Sequence, residues 1–223
     1  MTADDVGAFL IQMDAAGVRV WLDGGWAVDA CLGSQTRRHG DLDIVIEERD
    51  VPAAIATLQR REYVPVPRAD TRAWNFVLGD DAGHQVDFHV IVLDEHGRGV
   101  YGPPPNGKSY PAEALAGTGT VKGRAVACIA PEWLVRFHTG YEVDATDWAD
   151  VSALCERFDI PVPRDYLRFG SGPVSAPRSS RWTRRGGRST PPARHPPPAG
   201  SGRAAGLPEP SPPRRGTPPE LRC

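Results

Sequence analysis

The chain has 223 residues, of which 40% are hydrophobic and 24% charged, a composition suited to one ordinary globular domain or to a domain with an appendage. No window approaches the roughly 18 to 20 consecutive apolar residues of a membrane-spanning helix, and Asp4 and Asp5 stand where a secretory signal is basic, so a cytoplasmic protein without membrane partners is expected. The formal charge of −2 conceals an asymmetry: residues 171–223 hold ten Arg against Glu209 and Glu220, a net of +8, which leaves −10 on residues 1–170.

From the N-terminus, Val6, Phe9, Leu10 and Met13 recur at i, i+3, i+4 and i+7, which predicts a helix over residues 3–16 closed by Gly17. Residues 18–22 read as a short strand. Asp23-Gly24-Gly25 then reads as a tight turn feeding a helix over 26–32 that Gly33 ends. Residues 41–47 alternate carboxylates with Leu42, Ile44 and Ile46, the period-2 pattern of a strand with one face in the core. A helix is predicted over 51–61, with Pro52 in the first turn where its missing N–H costs nothing. Three strands follow at 63–66, 74–78 and 85–93, the last two joined by a turn at Asp80-Asp81-Ala82-Gly83. Beyond Leu93 the stretch from Tyr101 to Tyr110 reads as a loop, 121–128 as a hairpin around Lys122-Gly123, and 131–138 and 146–158 as helices.

The predicted fold is therefore α/β or α+β, with a small mixed sheet flanked by helices. Its expected parts are a catalytic core at 1–95, a loop and helical part completing an acceptor site at 96–170, and a tail at 171–223. That tail carries thirteen of the 23 prolines and few large apolar residues, so it cannot bury enough surface to offset the entropy of ordering and is expected to be disordered. Cys31, Cys128, Cys155 and Cys223 lack metal or disulfide spacing and read as free thiols.

Two strands carry the candidate chemistry. In Asp41-Leu42-Asp43 the acids at i and i+2 share a strand face, with Cα atoms about 6.5 Å apart. On the later strand Asp87 and His89 share a face opposite Val86, Phe88, Val90 and Val92. If the strands are neighbours, three carboxylates converge; like charges that close raise one another's pKa, and oxygen ligands suit Mg²⁺. His89 reads as a neutral histidine hydrogen-bonded beside such a site. Upstream, Gly24 and Gly25 let backbone approach a ligand, the following helix start favours phosphate, and Arg37-Arg38-His39 adds donors for a polyphosphate. His138 and Tyr141 read as packing or pocket wall. Asp94, Glu95, Glu142, Asp144, Asp147 and Asp150 either line an electronegative pocket for a cationic molecule or are solvated helix and loop acids.

Together, Leu22-Asp-Gly-Gly-Trp-Ala-Val-Asp29 and Thr36-Arg-Arg-His-Gly-Asp-Leu-Asp-Ile44 resemble the nucleotidyltransferase signature of the DNA polymerase β superfamily. More narrowly they resemble lincosamide and aminoglycoside nucleotidyltransferases, a likeness that extends to Val86-Asp-Phe-His89 and to Phe137-His-Thr-Gly-Tyr-Glu142 with Asp147 and Asp150. The resemblance implies a Mg-dependent transfer of a nucleoside monophosphate, AMP from ATP first among them, to a hydroxyl of a small-molecule antibiotic. It implies that Asp41, Asp43 and Asp87 ligate magnesium, as two ions in the family's manner, that Asp87 is also the general base, and that Gly24, Gly25 and Arg38 hold the triphosphate. A protein- or RNA-modifying toxin-like enzyme and a non-catalytic nucleotide-binding module are the alternatives. Partners expected are the triphosphate and the acceptor, on a monomer or homodimer; the −10 charge of residues 1–170 disfavours nucleic acid.

Because residues 171–223 lack a core-forming pattern, a chain cut after Gly170 should keep its melting cooperativity and its turnover within about twofold. Thermal melts and steady-state rates of the two chains check this.

Overall fold

The computed structural model describes residues 1–103 and 108–170. The Arg/Pro-rich tail lies outside the described residues.

Helix α1 (Ala3–Ala15) begins at a reciprocal cap, in which the Thr2 side chain accepts from the Asp5 N–H while the Asp5 side chain accepts from the Thr2 N–H. Its predicted stripe, Val6, Phe9, Leu10 and Met13, is buried throughout. Strand β1 (Val20–Leu22) leads into helix α2 (Gly24–Leu32), closed by Gly33 in the left-handed conformation. Here the structure differs from the expected turn: Gly24 and Gly25 are the first helical residues, and Asp23 is the cap, accepting the Gly24 N–H. A short acidic residue ahead of two glycines starts the helix earlier than the apolar pattern does.

Strand β2 (Leu42–Glu47) leads through a 3-10 turn (Glu48–Asp50) into helix α3 (Val51–Gln59). Strands β3 (Val64–Val66), β4 (Asn75–Gly79) and β5 (Gln85–Leu93) follow, β4 and β5 forming the expected hairpin across Asp80 and Gly83. The chain from Gly99 to Tyr110 is not a plain loop. It contributes β6 (Gly99–Tyr101) and β7 (Ser109–Tyr110), which extend the same sheet from the far end of β5. Two- and three-residue strands are too short to show a period, and only the exposed edge of β5 makes them strands.

The sheet runs β1-β2-β5-β4-β3, with β6 and β7 branching from β5. Among the described residues β2 and β5 form the one parallel ladder; the other ladders of this mixed sheet are antiparallel. Being central, β2 is buried at all six residues, on both faces, whereas alternation predicted one. Val86, Phe88 and Val90 are buried as expected, but Val92, beyond the end of β2, is 52% exposed.

Strands β8 (Thr118–Val121) and β9 (Arg124–Ala127) form a separate hairpin whose turn residues Lys122 and Gly123 both have positive φ, the geometry that matches strand twist. Helices α4 (Pro131–Phe137) and α5 (Ala145–Phe158) close the fold, with Trp148 stacked against Tyr166 and Phe169 of the 3-10 segment Arg164–Phe169. A continuous apolar cluster runs from Val6 to Tyr166. Helix α2 lies at its centre, packed on β2, β8, α4 and α5. No helix among the described residues is long and apolar enough to cross a membrane.

The close approach of β8 to α2 depends on Gly119, where a Cβ would collide with the backbone of Ala30. Backbone cannot yield as a flexible side chain can. Gly119→Ala should therefore lower stability by about 1–3 kcal/mol, read as a lower urea midpoint at unchanged slope.

Candidate active site

The parallel ladder between β2 and β5 pairs Leu42 with Val86, Asp43 with Asp87 and Val45 with His89. The register places Asp43 and Asp87 side by side on one face, so the two strands are the neighbours that a carboxylate cluster requires. Asp43, Asp87 and His89 each bring a ligand-type atom within 4.8 Å of the others. Asp41 stands one residue before β2, exposed and outside this tight group, but its charge acts on both Asp43 and Asp87. Helix α2 completes the enclosure. Gly24 has φ +53°, and a Cβ there would run into the Asp43 carboxylate. Glycine thus serves two needs at once, a left-handed backbone and room for an acid.

Burial raises the Asp43 carboxyl well above the ordinary carboxylate range, with the charges of Asp41, Asp87 and Asp23 adding to it and that of His89 opposing. Burial likewise raises Asp87, against the pull of His89. The Asp87 Oδ1 is buried with no hydrogen-bond partner. A carboxylate oxygen in that state is costly unless something cationic or protic faces it.

His89 departs from the expected neutral ring. Burial lowers its pKa, but the hydrogen bond to Asp23 and the charges of Asp87, Asp23 and Asp43 prevail and hold it up at about 9. Its Nδ1 lies 3.2 Å from Asp23 Oδ2, and its Nε2 lies 3.9 Å from Asp87 Oδ1. The imidazolium is therefore a counter-charge built into the protein. Strand alternation placed His89 beside Asp87, but its charge state depends on Asp23, which is 66 residues away in sequence.

The loop between α2 and β2 is tethered by buried acids. Asp29 accepts from the Thr36 N–H and hydroxyl with one oxygen, and its other oxygen lies 2.5 Å from His39 Nε2. Arg37 forms a two-pronged pair with Asp150 of α5, its Nη2 at 2.7 Å from Oδ2 and its Nε at 3.0 Å from Oδ1. A Cβ on Gly25 would meet Arg37 Nη2 and His39 Nδ1, so the second glycine admits this loop against the helix start. Arg38 is exposed and forms no ion pair among the described residues. Of the basic run, two members are committed to partners and Arg38 is left to face solvent.

Most of the other acids are structural. Asp144 and Asp147 form the reciprocal cap of α5, Asp150 holds Arg37, and Asp94 closes its own turn by accepting from His96 and Arg98. His138 donates from Nδ1 to the Leu134 carbonyl, and Tyr141 donates to Asp147. Asp23 lies in the Gly-Gly motif without a role assigned to it and Tyr110 lies in no motif, yet both reach the site: the Tyr110 hydroxyl lies 3.0 Å from Asp23 Oδ2 and 3.1 Å from His89 Nδ1.

Residues 6–154 match the model of the aminoglycoside-2''-adenylyltransferase family. The chain belongs to that family. It is 30% identical over 138 residues to a lincosamide resistance protein of Staphylococcus haemolyticus, covering 61% of this chain and 84% of that relative. It is 28% identical over 152 residues to a 2''-aminoglycoside nucleotidyltransferase of Klebsiella pneumoniae, covering 62% and 75% respectively. Among solved structures, lincosamide antibiotic adenylyltransferase LnuA with lincomycin bound superposes with a TM-score of 0.61 at 28% identity, over 69% of this chain and 96% of that one. The nucleotidyltransferase fold and the family resemblance read from Gly24-Gly25 and Asp41-Leu42-Asp43 both hold.

The crowding of Asp43 has a pH signature. A carboxyl whose folded pKa is raised disfavours folding once it ionises, so its stability contribution is complete below the unfolded pKa and is lost as pH rises through the folded one. In EDTA, Asp43→Asn should therefore gain stability over the wild type at pH 7 and lose that advantage near pH 3. Urea midpoints at the two pH values give the difference directly.

Proposed function

We propose that this protein transfers AMP from ATP to a hydroxyl of a lincosamide or aminoglycoside and so inactivates it. The observation that carries the reading is the in-register pairing of Asp43 with Asp87 beside Gly24, with one buried Asp87 oxygen left without a hydrogen bond. The names of the relatives, a lincosamide resistance protein and a 2''-aminoglycoside nucleotidyltransferase, support the choice of acceptor class. The −10 charge of residues 1–170 supports a cationic acceptor over nucleic acid.

The donor set fits magnesium: the oxygen ligands are carboxylates, burial and neighbouring charge raise the pKa of Asp43 and Asp87, and the buried Asp87 Oδ1 has no hydrogen-bond partner. Asp41, Asp43 and Asp87 would hold the metal, and when bound it supplies charge neutralisation at the attacking and leaving oxygens. Gly24 and Gly25, at the positive end of α2, and the unpaired Arg38 hold the triphosphate. Asp87 takes the proton of the acceptor hydroxyl as the new O–P bond forms, the bond from the α-phosphorus to pyrophosphate breaks, and the electron pair leaves with pyrophosphate. In this reading residues 1–95 supply the reacting groups and residues 96–170 the wall against which the acceptor lies.

Pyrophosphate release with MgATP across a panel of lincosamides and aminoglycosides tests the assignment, with adenylylated drug as the product. Label transferred to RNA or protein, with no drug modified, would replace it by a toxin-like activity. Asn in place of Asp41, Asp43 or Asp87 should lower kcat by about 10² to 10⁴-fold with folding retained, and EDTA should abolish turnover. Losses in the Asp41→Asn, Asp87→Asn double variant should fall well short of additive.

A further inference from the structure

The segment after Leu93 returns to the sheet at β7, and its last residue reaches the centre of the site. Tyr110 is 9% exposed, its ring held edge-on between Tyr101 and Phe137 with centroids 6.1 and 5.4 Å away. Its hydroxyl donates to Asp23 Oδ2, on which His89 Nδ1 also converges, and the hydroxyl and the imidazole are themselves 3.1 Å apart. Asp23 uses its other oxygen to accept the Gly24 N–H at 2.8 Å, and its own N–H donates to the Asp43 carbonyl at 2.9 Å. One buried carboxylate thus ties the start of α2 and the strand bearing Asp43 to the imidazole beside Asp87.

From this geometry we infer that Tyr110 is a positioning residue for nucleotidyl transfer: its hydroxyl locks the Asp23 carboxylate, and through it both Gly24 and His89, at the angles the reacting groups require. The inference rests on the adenylyltransferase reading. A carboxylate that loses one of its donors in a buried site turns to recover it. Two directions of turn are open to Asp23, and each disturbs something: rotation away from Gly24 uncaps α2, and rotation away from His89 frees the ring next to Asp87. Because transfer demands alignment of the hydroxyl, the phosphorus and the base, small displacements act on the chemical step more than on binding. Tyr110 touches none of the reacting atoms, and acts only through Asp23 and His89.

Tyr110→Phe removes the hydroxyl and keeps the ring. It should lower kcat about tenfold or more while KM for the drug stays within about twofold. Tyr166→Phe is the control, since Tyr166 is also buried and donates its hydroxyl to the His138 carbonyl away from the site. It should cost stability and leave kcat per folded molecule unchanged. In an Asp23→Asn background the Tyr110→Phe effect on kcat should shrink, because the lock is already weakened. A second measurement needs no turnover: in ¹⁵N spectra of the metal-free protein, Tyr110→Phe should shift the His89 Nδ1 resonance and Tyr166→Phe should not. An unchanged kcat in Tyr110→Phe, a parallel loss in Tyr166→Phe, or an unmoved His89 resonance overturns the inference. If the wild type modifies no drug, the adenylyltransferase reading fails, and the resonance shift still decides whether the lock exists.

Discussion

Asp23, Asp43 and Asp87 are brought together in a region from which water is largely excluded, and the surrounding structure is organised around that charge. At separations near 5 Å, two carboxylates repel by roughly 3 kcal/mol at an effective dielectric of about 20, so three cannot coexist without compensation. The protein answers in several ways. Asp23 is saturated by the Gly24 N–H, the Tyr110 hydroxyl and His89, and His89 itself is held protonated. Asp43 and Asp87 are left with raised pKa and, at Asp87, an oxygen without a hydrogen bond. Compensation is thus made by hydrogen bonds at Asp23, whereas at Asp43 and Asp87 the charge of His89 offsets burial only in part.

The same economy appears in the loop that precedes β2. It carries three basic residues, but Arg37 and His39 are tied to Asp150 and Asp29, one on α5 and one on α2. Fixing the flanking residues on buried acids orders the segment that leads to Asp41 and Asp43, while Arg38 between them is exposed. Asp150 therefore links helix α5 to the loop that precedes β2. Charge and helix position alone do not reveal that such an acid is buried against an arginine.

Much of the core was readable because its elements are long enough to show a period: the α1 stripe, the β4–β5 hairpin and the alternation that set Asp87 and His89 on one face of β5. The Asp41-Leu42-Asp43 and Gly24-Gly25 motifs likewise located the carboxylates and the helix start. What escaped was of two kinds. Strands β6 and β7 are too short to carry a pattern and exist because β5 offers them an edge. Partners distant in sequence, such as Tyr110 with Asp23 across 87 residues or Arg37 with Asp150 across 113, leave no local trace.

By itself the sequence determined which residues are able to do chemistry, since carboxylate spacing along a strand and glycines at a helix start are properties of the local backbone. It also determined the family, because those motifs recur in order over a short stretch of chain. Only the tertiary structure decided which strand lies beside β2, in what register, and therefore that Asp43 faces Asp87. It alone decided that His89 is charged and that most of the remaining acids are caps and tethers. The reason is physical: a side chain's ionisation and role depend on burial and on the charges within a few ångströms, and those are supplied by segments that only folding brings together.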